Sequence, residues 1–365
     1  MPDDATINIR LAAGQRAEVI RLWPNGAPSV IPGVGAESTF QPPQGLAAGT
    51  TMLRNVSDPT LTVFRPADGR SNGVGVIVVP GGGWRILAWE HEGVDVARWL
   101  AGRGYTAFLL KYRVMGTPED PAQFAAAMAA QDQQLAAPLP ALMAPRALSD
   151  LVKDEATVQA REVAADDGRR ALEIARERAA DLGLRADAIG MVGFSAGAFL
   201  VADVAMEPKG PPPAFVAPIY GGDTRGRPVA ADAPPLFTVI AHDDRLLFRM
   251  VEGLYLAWTD ADRSAELHIF ARGAHGFGMV RQGFPSDRWV DLVDELGCDC
   301  SKLGGYPLWA NAPLDVERLV GRSQRFHHRL TSDVVDFKLG DGGVIYVFVD
   351  EDGETGSLCW QQAKY

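Results

Sequence analysis

The sequence predicts an α/β fold, with a mostly parallel sheet, helices on both faces and antiparallel strands at its N-terminal edge. Three observations carry this. The runs Val74–Pro80, Ile189–Phe194 and Leu236–Ala241 are apolar almost throughout, as strands buried on both faces must be. Stretches of helical periodicity separate them. Each run stops abruptly at glycine, serine or acidic residues, where such sheets keep their chemistry.

In chain order, the first 70 residues read as short strands, Thr6 to Leu11 and Leu61 to Phe64, among Pro- and Gly-rich turns that form the antiparallel edge. The parallel core begins near Val74. Glu92 to Gly102 reads as the first crossover helix, with Val94, Ala97 and Leu100 on one face, and Thr106 to Tyr112 as the next buried strand. Residues 115–165 are rich in Ala, Gln and Pro and read as an insertion, with a helical piece from Pro121 to Gln134 and interruptions at Pro138, Pro140 and Pro145. A cap over the active site and a solvent-facing excursion are both open for it. Asp166 to Leu182 is a strongly amphipathic helix with Asp166 or Asp167 as cap. Phe215 to Tyr220 reads as a strand, Ala265 to Ala271 as another with period-two alternation, and Ser286 to Leu296 as the closing helix.

The most informative segment is Gly193-Phe194-Ser195-Ala196-Gly197, in which a strand runs directly into a helix. A turn that tight holds a serine in strained dihedrals with its hydroxyl exposed, and the flanking glycines allow strand and helix to approach. A small-residue turn without chemistry gives the same five letters, so the neighbours decide. Val74–Pro80 opens into Gly81-Gly82-Gly83-Trp84, whose amides can converge on one point and form an oxyanion hole with the amide of Ala196. Leu236–Ala241 opens into His242-Asp243-Asp244-Arg245, making Asp244 the expected acid and Asp243 its rival. Ala265–Ala271 leads into Gly273-Ala274-His275-Gly276, making His275 the expected base. Ser195, Asp244 and His275 occur in the order Ser, Asp, His, which differs from the orders of chymotrypsin-like and subtilisin-like proteins. Such a triad needs no metal and no organic cofactor.

A family resemblance rests on Ile9-Arg-Leu, Arg21-Leu-Trp-Pro24, Asn55-Val56, Pro59–Phe64, Pro80-Gly-Gly-Gly-Trp84, His91-Glu-Gly93, Ala97-Arg-Trp-Leu100, Lys111-Tyr-Arg113, Asp167-Gly-Arg169 and Gly193–Gly197. Together these resemble the bacterial α/β-hydrolases of the acetylxylan-esterase and feruloyl-esterase-like group, over about residues 7 to 295. The resemblance implies a carboxylic-ester hydrolase, with relatives that act on acetyl or other small acyl esters of plant-type carbohydrates. Two departures stand out. Trp84 occupies a position that is often Tyr in such proteins, which bears on the acyl pocket, and Pro80 stands where lipase-type relatives have His.

The balance of 35 basic and 46 acidic residues, a net charge of −11, argues against nucleic-acid or anionic-membrane partners. A hydrophobic content of 47% over 365 residues is enough for one sizeable core. The N-terminus has no basic segment leading into an apolar run, so a cytoplasmic location is expected, and a homo-oligomer is compatible. Three cysteines, Cys298, Cys300 and Cys359, make no disulfide framework.

The expected division is a catalytic domain over 1–297 and a small β-rich extension over 298–365. The extension, with Lys302–Trp309 and Gly340–Asp350, weakly resembles the end of a bacterial all-β domain of unknown function. Its Tyr306, Trp309 and Trp360 read as packing residues before ligand residues. Cys298, Cys300, His327 and His328 do not have zinc-site spacing, so no metal is expected. Trp84 and Tyr220 are expected to line the substrate cleft, and His91 and Glu92 to orient a helix start. Asn55-Val56-Ser57 matches a glycosylation sequon that arises often by chance.

The function these readings converge on is a serine esterase that removes acetyl or another short acyl group from a carbohydrate or small ester. An amidase or peptidase with the same triad is the enzymatic alternative. A non-catalytic binding scaffold with an aromatic tail is the alternative outside enzymes.

Overall fold

The structure, a computed structural model, describes residues 18–67, 69–135 and 155–295 together with 324–331, 343–350 and 356–362. Outside them fall the expected strand Thr6 to Leu11, part of the expected insertion, Cys298, Cys300, Tyr306 and Trp309. The chain divides into two compact units, Met1–Leu292 and Val293–Tyr365.

The larger unit is built on an eight-stranded sheet. The strands in chain order are β1 (Glu18–Arg21), β2 (Ser38–Phe40), β3 (Met52–Arg54), β4 (Thr60–Phe64), β5 (Gly75–Val79), β6 (Ile86–Leu87), β7 (Thr106–Lys111), β8 (Ile189–Phe194), β9 (Val216–Ile219), β10 (Leu236–Ala241) and β11 (Ala265–Phe270). The sheet runs β1-β4-β7-β5-β8-β9-β10-β11. β1 and β4 form the expected antiparallel edge, and every pairing from β7 to β11 is parallel. Every residue of β5, β7, β8, β9 and β10 is buried, so both faces of the central sheet are covered, while β1 alternates half-buried and exposed at its edge. β2, β3 and β6 make a separate small antiparallel sheet. At two or three residues each they carry too little periodicity to be read from sequence.

The helices are α1 (Asp95–Gly102), α2 (Pro121–Leu135), α3 (Glu155–Glu177), α4 (Ala196–Met206), α5 (Phe248–Asp260) and α6 (Trp289–Glu295). α1 packs on β4, β5 and β7, α3 on α4, β5, β7 and β8, α4 on β5, β8 and β9, and α5 on β10 and β11. Two expected helices differ in their starts. The first crossover opens with a π-helical turn, Glu90–Val94, closed by the bond from the Val94 amide to the Trp89 carbonyl at 2.8 Å. α3 starts eleven residues before Asp166 (166 − 155), because Thr157, Ala160, Arg161, Val163 and Ala164 extend its buried face into the expected insertion.

Asp167 therefore does not cap a helix but sits in mid-helix, fully buried. Its carboxylate accepts the Arg113 amide at 3.0 Å, Arg113 Nε at 2.9 Å and Nη2 at 2.7 Å, and Trp23 Nε1 at 2.7 Å. One side chain thus joins α3, the chain leaving β7 and the loop after β1. The sequon residue Asn55 is also fully buried, with its Oδ1 accepting the Thr117 amide at 2.7 Å and Thr117 Oγ1 at 3.0 Å, so it offers no glycosylation site.

In the second unit, β12 (Gln324–Thr331), β13 (Gly343–Asp350) and β14 (Gly356–Gln362) form an antiparallel sheet in the order β12-β13-β14, with Trp360 opposite Ile345 and an irregularity at Phe326/His328.

Breaking the Asp167 hub leaves a buried guanidinium uncompensated. Asp167→Ala is expected to lower unfolding stability by about 3–5 kcal/mol, read from urea denaturation. A loss below about 1 kcal/mol, the range of an exposed ion pair, would show that Arg113 finds another partner.

Candidate active site

The parallel register brings five loops to one edge of the sheet. Val79 lies opposite Gly193, Phe194 opposite Ile219, and Ala241 opposite Phe270, so the residues that follow β5, β8, β9, β10 and β11 emerge side by side. These are the glycine loop, Ser195, Tyr220, Asp244 and His275.

Ser195 takes φ 49° and ψ −115°, a conformation that L-residues avoid unless the surroundings enforce it. The enforcement is steric. A Cβ on Gly193 would lie 2.3 Å from the Gly197 carbonyl oxygen, and a Cβ on Gly197 would lie 2.2 Å from that of Val79. The Ser195 amide donates to the Ile219 carbonyl at 3.1 Å, tying the turn to β9.

The hydroxyl of Ser195 donates to His275 Nε2 at 2.9 Å, and His275 Nδ1–H donates to Asp244 Oδ2 at 2.7 Å, in the tautomer with the proton on Nδ1. Asp244 is 1% exposed. Its second oxygen, Oδ1, accepts the amides of Leu246 and Leu247, each at 3.0 Å, which fixes the carboxylate before His275 is considered. Asp243, the sequence-level rival, is exposed and accepts the Ala274 amide at 2.8 Å, so it holds the histidine loop by its backbone and does not bond the ring.

Of the four amides expected in the oxyanion hole, that of Gly81 is already engaged, donating to Glu92 Oε2 at 2.8 Å. This corrects its expected role: a donor committed to a carboxylate is not available to a developing oxyanion. Gly82 and Gly83, at φ 132° and 62°, and Ala196 at the first position of α4 have amides with no protein acceptor among the described residues. A Cβ on Gly81 would lie 2.9 Å from Ser195 Cβ, so the glycine loop closes directly onto Ser195.

Both residues expected to line the substrate cleft are buried. Tyr220 is fully buried, with φ 39°, and does not border an open cleft. Its hydroxyl donates to Glu92 Oε1 at 2.7 Å and accepts the Gly278 amide at 3.0 Å, and its ring lies edge-on to His275 with centroids 5.3 Å apart. Burial first, and then the charge of Glu92, push the Tyr220 phenol well above its ordinary pKa, so it stays a hydrogen-bond donor. Trp84 is 4% exposed, its ring 5.7 Å from that of Phe199, and its Nε1 has no partner among the described residues.

Glu92 is the residue that sequence reasoning undervalued. It is buried and bonded to two of the five loops, not simply orienting a helix start. The sequence carries little signal for it: Glu92 shares the turn Glu90-His91-Glu92-Gly93-Val94 with a second acid, and only the fold buries Glu92 while leaving Glu90 half-buried.

Among the described residues, no group of His, Cys, Asp or Glu is arranged to hold a metal ion, and no helix is long and apolar enough to cross a membrane.

No protein-family model matches the chain. An acetylxylan esterase of Xylanibacter ruminicola is 23% identical over 242 residues, which cover 57% of this chain and 42% of that protein. The chain thus spans less than half the length of that curated relative. Among solved structures, an acetyl ester-xyloside bifunctional hydrolase from Caldicellulosiruptor lactoaceticus superposes with a TM-score of 0.51 at 20% identity, covering 76% of this chain and 94% of that one. An α/β hydrolase enzyme from a Medee basin deep-sea metagenome gives a TM-score of 0.48 at 19% identity, covering 73% and 98%. With its mostly parallel sheet and flanking helices, the chain has the α/β-hydrolase fold.

Burial pulls the His275 pKa down, but the charge and hydrogen bond of Asp244, with the charge of Glu92, outweigh it and hold the ring above its ordinary 6.5. A group raised on folding stabilises the fold fully below its unfolded pKa, and that contribution fades as pH rises through the folded value. Histidine-ring NMR is expected to show His275 titrating above 6.5 in the native protein and lower in Asp244→Asn. A native value at or below 6.5 contradicts this electrostatic account.

Proposed function

We propose that this chain is a serine carboxylic-ester hydrolase that works through an acyl-enzyme on Ser195 and removes acetyl or another short acyl group from a carbohydrate or small ester. The observation that carries the reading is the unbroken hydrogen-bond chain from Ser195 Oγ through His275 to buried Asp244, beside amides that have no protein acceptor. The named activity of the acetylxylan esterase and of the acetyl ester-xyloside hydrolase supports the substrate class.

A serine hydroxyl is protonated near neutral pH and weakly nucleophilic. As Ser195 Oγ attacks the ester carbonyl, its proton passes to His275 Nε2, and Asp244 stabilises the imidazolium through Nδ1–H. The carbonyl oxygen becomes an oxyanion, which accepts hydrogen bonds donated by the amides of Ala196 and of Gly82 or Gly83. Each such donor contributes about 3–4 kcal/mol to the transition state in comparable holes. Collapse breaks the bond to the alcohol, which leaves with the proton from His275. Water then gives its proton to the same nitrogen, attacks the acyl carbon and releases the carboxylic acid, returning Ser195 to its starting state.

The expected result is hydrolysis of p-nitrophenyl acetate and of an acetylated xylo-oligosaccharide by the native chain, with octanoate a poorer substrate and Ser195→Ala inactive. Asp244→Asn should lower kcat by about 10⁴-fold, because the ring is then held in the wrong tautomer. Equal rates for native and Ser195→Ala would overturn the reading. Because the ring must be neutral to accept the proton, kcat/KM should fall as pH drops through a value above 6.5.

A further inference from the structure

Glu92 is 3% exposed and carries the only carboxylate that touches both loops flanking the nucleophile among the described residues. Its two oxygens have different clients. Oε2 accepts the Gly81 amide, at the start of the glycine loop, and Oε1 accepts the Tyr220 hydroxyl. Tyr220 in turn accepts the amide of Gly278, three residues past His275, and packs its ring edge against the imidazole. The backbone adds a third attachment. The carbonyl of His91 accepts the Met279 amide at 2.9 Å, and a Cβ on Gly278 would lie 2.7 Å from that carbonyl and 3.0 Å from Glu92 Cγ. The π-helical turn Glu90–Val94 carries both His91 and Glu92.

The chemistry of the pair of donors demands a carboxylate. Gly81 N–H and Tyr220 O–H both point hydrogens at Glu92, and a carboxylate offers an acceptor to each, whereas a carboxamide offers one acceptor and an NH₂ group. A buried anion is costly unless neutralised or well bonded. Among the described residues no Lys or Arg pairs with Glu92, and the nearest basic atom is His91 Nε2 at 3.9 Å. The site therefore keeps an expensive charge at the point where its two halves meet.

We propose that Glu92 is a positioning residue for both halves of the site, holding the oxyanion loop through Gly81 and the His275 loop through Tyr220, an assignment that rests on the serine-hydrolase reading above. It does not touch substrate. It sets where the free amides of the glycine loop stand relative to Ser195, and where His275 stands relative to the proton it accepts. Its charge also bears on the imidazole. The groups around His275 are Asp244 from the loop after β10, Asp243 on the Ala274 amide, Tyr220 from the loop after β9, and Glu92 with His91 from the π-helical turn. Glu92 adds to Asp244 in holding the ring above its ordinary value.

The test compares native protein, Glu92→Gln and Tyr220→Phe, with kcat for p-nitrophenyl acetate expressed per serine titrated by a phosphonate, so that unfolded material is not counted. Displacement of groups around a reacting centre costs up to about 100-fold, so kcat of Glu92→Gln should fall about 10- to 100-fold with KM within about threefold. The His275 ring should titrate lower in Glu92→Gln, because a negative charge is gone. A residue serving only the fold would lower the titratable fraction or Tm and leave both readouts unmoved. Either an unchanged kcat per titrated serine or an unmoved His275 titration overturns the proposal. If Glu92→Gln does not fold, Tyr220→Phe decides: it keeps the carboxylate but removes the link to Gly278, and an unchanged kcat there sinks the bridge. Native protein that hydrolyses no ester would instead defeat the esterase reading, and the His275 titration, which needs no substrate, still judges the influence of Glu92.

Discussion

The structure depends on how closely helix α4 approaches strands β5 and β8 behind Ser195. Gly193 and Gly197 are the two residues that permit it, since a methyl group on either would run into main-chain oxygens 2.2–2.3 Å away. With the helix pressed so near the sheet, the chain has no room for a relaxed turn, and Ser195 takes φ 49°. The cost of that conformation, of order 1–3 kcal/mol, is borne by the packing of a helix whose first ten residues are all buried. In return the hydroxyl stands clear of both elements and the first helical amide, that of Ala196, is left without an intrahelical partner.

Everything else at the edge of the sheet is arranged around that fixed point. Parallel pairing at matched register delivers the loops after β9, β10 and β11 in sequence, so Tyr220, Asp244 and His275 arrive from neighbouring strands. Each is then held by bonds that do not involve Ser195. Asp244 is fixed by two backbone amides, the histidine loop by Asp243 and Tyr220, and the glycine loop by Glu92. Preorganisation of this kind matters because a donor that must move during the reaction loses part of its effect.

Much of this was legible in the sequence, for identifiable reasons. The strands before Ser195 and Asp244 are apolar almost throughout, the one before His275 alternates over Ala265–Ile269 in sequence though not in burial, and each ends at sharp polar or glycine punctuation, so the junctions and the chain order could be read directly. Adjacent acids are a different matter. Asp243 and Asp244 differ in role only because successive residues leaving a strand point in different directions, and the buried one, which also binds Leu246 and Leu247, cannot be told from composition. Gly81 was misassigned because its amide is claimed by a side chain eleven residues on, a contact that depends on a π-helical turn no periodicity signals. Tyr220 follows a strand, as a cleft residue would, yet packs inward beneath the imidazole. Asp167 looked like a helix cap because short polar residues at a helix start usually are caps. The buried face of α3 in fact runs a further three turns back, and Asp167 is its ion-pair centre.

The central claim is that Ser195 is an activated nucleophile, and covalent labelling tests it most directly. Native protein treated at neutral pH with a p-nitrophenyl phosphonate should release p-nitrophenolate in a single stoichiometric burst, and peptide mass spectrometry should find the phosphonyl group on Ser195, with labelling abolished in Ser195→Ala and strongly slowed in His275→Ala. No label, or a label that persists undiminished in Ser195→Ala, would contradict the account and leave the hydrogen-bonded Ser195, His275 and Asp244 without a catalytic role.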